Sequence, residues 1–300
     1  EPFYPKKDLS EPTIQLSSTY SLIKKKNWGK HLIEKLARKP LPIISTFFIP
    51  AFMAEIFKYP GEIYCVATDT DVSRAWAPLN PHRSKIKYLA PNHRVEERLQ
   101  MYGVRPENIF VTGFPLPEEL IGGERKTILR RNLGHRLFNL DPKKVYLKRY
   151  HETISKHLGP NNFPSHQDHP LTLTFAVGGA GAQRELGVEI AKSLRRRIKN
   201  HELELILVAG IHNDVNHFFK KGLRDHGLGE ELKKNHIRVI FSQTKDEYFH
   251  KFNRALNKTD IIWTKPSEMS FYVALGIPII MSETIGSQEE FNRAWLRTIG

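Results

Sequence analysis

A carboxylate close to the end of the chain has the setting of a ligand-binding group. Glu268 lies in the first turn of a predicted helix, behind the polar turn Thr264-Lys265-Pro266-Ser267, in which Ser267 is the candidate N-cap. A carboxylate in this position can accept hydrogen bonds from two vicinal hydroxyls, as in a ribose. It can equally do no more than balance the helix dipole.

Three further polar side chains follow on a predicted loop: Gln288, Glu289 and Asn292. Their amide and carboxylate groups suit the hydroxyls of a sugar, although an exposed loop of this composition can also be merely solvated. The chemistry that these residues favour is therefore recognition of a polyhydroxyl ligand.

A turn of small residues after the predicted strand 171–177 is the second candidate site. Its backbone N–H groups can surround an anion, and the helix predicted at 186–199 adds a favourable dipole. The pattern is not GxGxxG and no Walker lysine follows, so a dinucleotide or ATP P-loop is not predicted. A tight turn without a ligand is the alternative. The turn consists of Gly178, Gly179, Ala180, Gly181 and Ala182.

The elements around both candidates predict parallel sheets. In the first half, strands at 42–45, 62–68, 85–90 and 109–112 alternate with helices at 47–59 and 92–102. In the second half, strands are predicted at 171–177, 203–209, 237–241, 261–263 and 277–281. The last two strands and the helix between them form one right-handed crossover unit. Ligands of such sheets bind at the carboxyl ends of strands, so both candidate sites are expected at one sheet edge.

The charge and the cysteine content of the chain limit the kinds of partner and site that it can have. Lys and Arg number 46 against 32 Asp and Glu, which leaves a net charge of +14. Such a surplus predicts an anionic neighbour, either nucleic acid, anionic lipid or a phosphorylated substrate. The single Cys65 excludes an internal disulfide and a Cys-based zinc site. The histidines at 151–169 fit no HExxH or CxxC pattern, so no metal site is predicted.

Three segments are expected: an α/β domain at 1–117, a basic connection at 118–170, and a second α/β domain at 171–300. The most apolar run, 41–57, is interrupted by Pro42, Pro50 and Glu55, and it is too short to span a membrane. The sequence starts at Glu1 without an initiator Met or a visible signal peptide. We therefore expect a cytoplasmic protein, and a chain that is a fragment.

Several motifs resemble GT-B glycosyltransferases of the group that contains MurG and the monogalactosyldiacylglycerol synthases. In the second half they are VGGAGA (177–182), TKPSEMSFYVALGIPIIM (264–281) and GSQEEFN (286–292). In the first half they are PIIST (42–46), VATDTDVSRAW (66–76) and YLAPNHRVEERLQMYGVRPENIFVTGFPL (88–116). Residues 118–170 lie outside the resemblance. The family's glycine-rich loop has no counterpart before Pro42, which implies either that part of the first domain is missing or that the protein is a degenerate relative.

The resemblance implies two Rossmann-like domains that face each other across a cleft. The second would bind a nucleotide-sugar donor, usually UDP-linked, without a cofactor. Residues 179–182 would meet the diphosphate and Glu268 the ribose, with Gln288 and Glu289 at the donor sugar. The uracil would lie near residues 241–244, which include Ser242. The remaining donor-binding candidates are Thr264, Lys265, Ser267 and Asn292.

The catalytic half of the resemblance is weaker. The family's Thr-Asp followed by His and Trp is present as Thr68, Asp69 and Trp76, with Arg74 near the place of the His. Asp69 is the candidate base that takes the proton of the acceptor hydroxyl during an inverting transfer. Basic side chains would offset the charge that builds on the departing diphosphate.

The leading hypothesis is a hexosyltransferase that uses a lipid-linked or membrane-associated acceptor. The positive charge and the apolar helix at 47–57 favour peripheral docking on anionic lipid. Two alternatives stay open, namely a UDP-sugar epimerase on the same fold and a non-catalytic anion or nucleic-acid binder. Nucleic acid is not the expected partner, because no RNP-like motif, zinc finger or helix-turn-helix is present.

Overall fold

The structure, a computed structural model, describes residues 9–164, 166–176, 183–284 and 287–299. The chain divides into two units, Glu1–Pro115 with Ile285–Gly300 and Leu116–Thr284. Each unit contains one parallel sheet with helices between its strands. The predicted α/β class with two Rossmann-like sheets is therefore confirmed.

The first unit is built on four parallel strands that follow one another in chain order. These are β1 (Ile43–Ser45), β2 (Ile63–Val66), β3 (Lys87–Ala90) and β4 (Ile109–Val111). Its helices are α1 (Ile14–Lys26), α2 (Lys30–Ala37), α3 (Phe48–Ile56), α4 (His93–Met101) and the last helix of the chain, α15 (Ser287–Ile299). α4 begins where the Asn92 side chain accepts from the Val95 N–H, which is a regular N-cap.

The helix that was expected to dock on a membrane, α3, buries part of its surface inside the first unit. Ala51, Phe52, Met53 and Ala54 are buried in the core of the first unit, where α3 packs on the sheet and beneath α1 and α2. A helix that is apolar on nearly every side belongs in a core, and α3 follows that rule. In the described part of the chain, no helix is both long and apolar enough to cross a bilayer.

The second unit holds five parallel strands in the order β7-β6-β5-β8-β9. They are β5 (Leu171–Ala176), β6 (Leu203–Gly210), β7 (Ile237–Phe241), β8 (Ile261–Thr264) and β9 (Ile279–Met281). The helices are α5 (Glu118–Ile121), α6 (Thr127–Leu140), α7 (Val145–Arg149), α8 (His151–Leu158), α9 (Arg184–Ser193), α10 (Arg195–Lys199), α11 (Asn213–Asp225), α12 (Gly229–Lys233), α13 (Lys245–Leu256) and α14 (Met269–Ala274).

The division into units differs from the expected segments in two places. Residues 116–170 belong to the second unit, because Arg136 of α6 is buried and donates hydrogen bonds to the carbonyls of Thr259, Leu275 and Gly276. Residues 285–300 belong to the first unit, because Asn292 of α15 bonds to Thr70. Both attachments are made by polar side chains far from their partners in sequence.

The crossover unit predicted near the end of the chain is present as β8, α14 and β9, and β8 and β9 are parallel neighbours. α14 ends at Gly276, whose φ of 62° lies in the left-handed region that favours glycine. The Gly276 N–H donates to the Val273 carbonyl and the Ile277 N–H to the Tyr272 carbonyl. This pair of bonds is a Schellman motif, and it turns the chain directly into β9.

Candidate functional site

The strand order of the second unit contains a switch point between β5 and β8. Strands β6 and β7 follow β5 on one side of it, and the later strands β8 and β9 lie on the other side of β5. Open parallel sheets bind their ligands at the carboxyl ends of the strands that flank such a switch point, here β5 and β8.

One row of registered residues marks the carboxyl edge of this sheet. Ala176 pairs with Val208 on one side and with Thr264 on the other, and Thr264 pairs with Met281. The turn that starts at Lys265 therefore leaves the sheet beside Ala176, the last described residue of β5. The predicted anion-binding residues of the small-residue turn, Gly178, Gly179, Ala180, Gly181 and Ala182, lie outside the described residues.

Glu268 is exposed at the start of α14, and a tyrosine of the same helix holds its carboxylate in place. The Tyr272 hydroxyl donates to Glu268 Oε2 at 2.7 Å. Burial, and after it the neighbouring carboxylate, raises the pKa of Tyr272 well above its usual value, so the phenol remains a donor. One carboxylate oxygen is thus engaged inside the protein, and the exposed group can accept hydrogen bonds from a ligand.

Ser267 does not cap α14, which corrects the predicted role. Glu268 is the N-cap residue, and no side chain makes a capping bond there. The Ser267 N–H instead donates to the Lys265 carbonyl at 2.8 Å within the turn. This local bond turns the chain one residue before the helix starts, and it leaves Ser267 half-buried beside Glu268.

Buried hydroxyls without partners lie at or near the same edge. Ser242 follows β7, Ser282 follows β9, and Ser270 lies in α14. Their Oγ atoms are buried and have no hydrogen-bond partner among the described residues. Because a buried unpaired hydroxyl costs stability, such atoms mark places where a ligand or ordered water completes the hydrogen bonding.

The first unit places Asp69 in a separate polar cluster after β2. Asp69 and Thr70 both contact Asn292, whose Oδ1 accepts from Thr70 Oγ1 at 2.7 Å. Burial raises the pKa of the Asp69 carboxyl, and the hydrogen bond from Asn292 opposes this rise. Asn92 donates to the Thr70 carbonyl at 3.0 Å, so the segment is held by two amide side chains.

A buried ion pair beside this cluster fixes the backbone that carries Asp69. Asp71 accepts from Arg98 Nε at 2.9 Å and from Arg98 Nη2 at 3.1 Å, and its carboxylate also lies 3.4 Å from Arg94 Nε. Asp71 Oδ1 further accepts from the Val72 N–H. A two-pronged arginine contact of this kind restricts both the position and the orientation of the carboxylate. These contacts hold the chain two residues after Asp69.

The structure brings Asn292 to Asp69 and places the other two candidates of that motif on the same helix. Gln288 and Glu289 lie in the first turns of α15, which begins at Ser287, so the predicted loop at these positions is wrong. Negatively charged residues in a first helical turn stabilise it, and Glu289 and Glu290 have this position. The three residues therefore belong to the unit that contains Asp69.

Arg74 has a structural role. Its guanidinium is buried and donates to the carbonyls of Ser10, Ala77 and Pro78. Among the described residues, no three His, Cys, Asp or Glu side chains are grouped so that they could hold a metal ion.

Sequence reasoning missed Tyr272, Thr70 and Asn92. Tyr272 could have been found, since it lies four positions after Glu268 on a predicted helix, where side chains meet. The contact of Thr70 with Asn292 joins residues 222 positions apart, and no local pattern indicates it.

Comparison with known proteins gives one family match and one curated relative. Residues 164–251 match a family described as a domain of unknown function, DUF6938. A processive diacylglycerol beta-glucosyltransferase of Bacillus licheniformis is 23% identical over 279 residues, which cover 91% of this chain and 59% of that protein. The predicted resemblance to glycosyltransferases is thereby confirmed, with a relative of which this chain spans 59% of the length.

Similar solved structures include a complex with UDP, an epimerase and a galactosyltransferase. S. aureus MnaA in complex with UDP has a TM-score of 0.47 at 15% identity, covering 97% of this chain and 69% of that chain. The UDP-GlcNAc 2-epimerase of Neisseria meningitidis, bound to UDP-GlcNAc, has a TM-score of 0.46 at 14% identity, covering 90% and 66%. The lipopolysaccharide outer core galactosyltransferase WaaB has a TM-score of 0.41 at 13% identity, and the match covers 93% of this chain and 73% of that chain.

Proposed function

We propose that the protein is an inverting hexosyltransferase that moves a sugar from a nucleotide-sugar, a UDP-sugar, to a lipid-linked or membrane-associated acceptor. The observation that carries the proposal is Glu268, exposed at the switch point of the second sheet and held from below by Tyr272. The likeness in sequence to a diacylglycerol glucosyltransferase supports the choice of reaction and of acceptor class.

The donor half of the proposal assigns the nucleotide to the carboxyl edge of the second sheet. Glu268 accepts hydrogen bonds from the two ribose hydroxyls, and the turn at 178–182 surrounds the diphosphate with backbone N–H groups. Ser242 lies buried beyond the end of β7, where its unpartnered hydroxyl suits a base edge. Thr264, Lys265 and Ser267 line the turn between the strand and Glu268, and Lys265 adds positive charge for the diphosphate.

The catalytic half assigns Asp69 as the base. The acceptor hydroxyl gives its proton to the Asp69 carboxylate while its oxygen forms a bond to the anomeric carbon. The bond from that carbon to the diphosphate breaks at the same time, and UDP leaves with the electron pair. Attack opposite the leaving group inverts the anomeric carbon. Asn292 orients Asp69 by its hydrogen bond, and Gln288 and Glu289 bind hydroxyls of the donor sugar.

Peripheral attachment to the cytosolic face of a membrane completes the proposal. α1, α2 and the turn between them expose Leu22, Trp28, Leu32 and Leu36, which are 40–50% accessible. We call these four residues, with their lysines, the α1–α2 surface. Its lysines are Lys24, Lys25, Lys26, Lys35 and Lys39. Exposed leucines and a tryptophan among lysines suit the interface of an anionic bilayer, where apolar burial and charge attraction add.

Calorimetric titration with UDP tests the donor site directly. Wild-type protein should bind UDP, and Glu268→Ala should weaken binding about tenfold or more, because a charged hydrogen-bond partner of the ribose is lost. Glu189→Ala, which removes an exposed carboxylate from α9, is the matched control and should bind as the wild type does. Absence of heat with UDP, UDP-sugars and other nucleoside diphosphates would remove the donor site from the proposal.

Product analysis separates transfer from epimerisation. Incubation of UDP-GlcNAc or UDP-glucose with the protein and diacylglycerol vesicles should release UDP together with a glycolipid. An epimerase would instead yield an isomeric UDP-sugar with no acceptor present. Isomerisation without acceptor would therefore overturn the assignment of the reaction while leaving the nucleotide site intact.

A further inference from the structure

A groove runs along the outer edge of β7, on the side of the second sheet away from the switch point. β7 is the end strand of the sheet, and its described neighbour is β6. Helices α11, α12 and α13 flank the strand and leave a groove of about 560 Å³, in which Leu232 and Ala255 contribute apolar surface. Apart from Phe241, which begins the segment that the resemblance places near the uracil, the residues that line this groove have no role in the proposed transfer.

All the charged side chains that line the groove are cationic. Six cationic side chains reach it and no carboxylate does: Lys220, Arg224, Lys233, Arg238, Lys251 and Arg254. Lys233, Arg238 and Lys251 also contact carboxylates that lie outside the lining, on Glu230, Glu204 and Glu247. Lys220, Arg224 and Arg254 make no ion pair with any described residue. A concave surface of one sign concentrates ligands of the opposite sign.

The backbone of β7 presents its own hydrogen-bonding groups to the same groove. Leu205 N–H bonds to the His236 carbonyl and Ser242 N–H to the Gly210 carbonyl, so the even-numbered residues of this strand face β6. Because bonding alternates along a parallel strand, Ile237, Val239 and Phe241 direct their N–H and C=O groups to the open side. Lys251 Nζ donates to the Phe241 carbonyl at 3.3 Å, which places one cation at the end of this edge.

We propose that this groove binds an extended acidic segment of a partner protein, which adds to the sheet as a strand beside β7. Main-chain hydrogen bonds to the open edge would supply register, and the cationic rim would pair with Asp and Glu side chains of the segment. A free polyphosphate or a nucleic acid would pair with the cations but would not form strand hydrogen bonds with β7. The presence of both features in one groove therefore favours a peptide. The inference is independent of the proposed transfer reaction.

Fluorescence anisotropy with the full chain tests this inference. The probe is a labelled nine-residue peptide in which Glu alternates with Val, compared with the same peptide carrying Lys in place of Glu. At physiological ionic strength only the Glu peptide should bind. Methylation of alternate peptide nitrogens on the edge-pairing side keeps the charge and removes the strand donors, and it should weaken binding about tenfold.

Charge reversal identifies the surface. The double variant Lys220→Glu with Arg254→Glu should bind the Glu peptide about tenfold more weakly or worse. Two cations that lack ion-pair partners among the described residues become anions that repel the peptide. Lys192→Glu with Lys199→Glu makes the same change in net charge on exposed positions of α9 and α10, and it should have a much smaller effect.

Three outcomes would overturn the inference. Equal binding of the N-methylated peptide would show an electrostatic contact without strand addition. Tighter binding of inorganic polyphosphate or of an RNA oligonucleotide, competing with the peptide, would assign the groove to a free polyanion. Failure of the Glu peptide to bind would mean that the lysines serve only to protect an edge strand from self-association.

Discussion

The side chain of Asn292 joins the last helix of the chain to the loop that carries Asp69. It donates a hydrogen bond to the Asp69 carboxylate and accepts one from Thr70 Oγ1 at 2.7 Å. Thr70 and Asn292 are both almost completely buried, so these bonds are shielded from water and restrict the position of Asp69. This relationship connects the candidate base with a residue that the sequence motif had assigned to the donor sugar.

Replacement of Asp69 by Asn should abolish transfer and leave UDP binding intact. A general base contributes about 10² to 10⁴-fold to a rate, and the amide cannot accept the proton. UDP affinity, measured by calorimetry, should stay at the wild-type value because Asp69 lies in the first unit and the proposed nucleotide site in the second. Full activity of Asp69→Asn would exclude it as the base.

The same variant should be slightly more stable than the wild type at neutral pH. Burial raises the pKa of Asp69, which means that the folded state penalises its charged form. The penalty grows as pH rises from the pKa of the unfolded state to that of the folded state, and it is fully present above the latter. A neutral amide of the same shape avoids this penalty. The thermal midpoint of Asp69→Asn should therefore exceed that of the wild type at pH 7, with a smaller difference at pH 4.

Asn292→Ala should shift the acid limb of the pH–activity profile to higher pH. The base must be ionised, and the hydrogen bond from Asn292 lowers the pKa of Asp69 against the effect of burial. Without this hydrogen bond the effect of burial raises the pKa of Asp69 further, so a higher pH is needed to ionise the carboxyl. The profile of kcat/KM against pH measures the shift. Thr298→Ala, an exposed change on the same helix, should keep the wild-type profile.

Tyr272→Phe should weaken UDP binding by about 1 kcal/mol, or roughly fivefold, because the Glu268 carboxylate loses the hydrogen bond that orients it. Tyr150→Phe on the surface is the control. The ribose assignment makes a second prediction. Wild-type protein should prefer UDP to 2′,3′-dideoxy-UDP, and Glu268→Ala should discriminate between them much less. An unchanged preference in Glu268→Ala would place the ribose elsewhere.

Arg136→Met should lower the free energy of unfolding of the second unit by about 3 kcal/mol. Three buried carbonyl oxygens lose their donor, and methionine fills the space without replacing the bonds. Burial lowers the pKa of Arg136 to about 10, so the guanidinium remains charged at neutral pH. Urea unfolding gives the comparison with Arg130→Met, an exposed change on α6 that should cost little. Similar losses in both variants would contradict this role.

Membrane attachment through the α1–α2 surface predicts a specific loss. Trp28→Glu with Leu32→Glu should move the protein from the pellet to the supernatant when it is sedimented with anionic vesicles, because apolar contacts are replaced by like charge. Phe249→Glu, a comparable exposed aromatic on α13, is the control and should leave vesicle binding unchanged. Equal recovery of wild-type protein with anionic and neutral vesicles would rule out charge-assisted docking.

The local features of both sheets follow from the sequence alone. Apolar runs such as 203–209 and 237–241 predict strands because only a doubly covered parallel sheet buries them on both faces. The expectation that Glu268 and the small-residue turn leave the same sheet edge needed only the rule for parallel crossovers, and the pairing of Ala176 with Thr264 agrees with it. One predicted helix at 186–199 is divided at Leu194 into α9 and α10, since that residue has a ψ of 6°.

Only the tertiary structure decided the contacts made by side chains across long separations. The sequence shows Arg136 as one of many basic residues of 118–170, yet its burial attaches that segment to the second unit. The resemblance groups Asn292 with the donor-binding candidates, and the structure shows that it contacts Asp69 and Thr70. Periodicity and turn chemistry act over a few residues and can be read locally. Burial of a polar side chain depends on which distant donors and acceptors meet it, and that is settled only when the chain has folded.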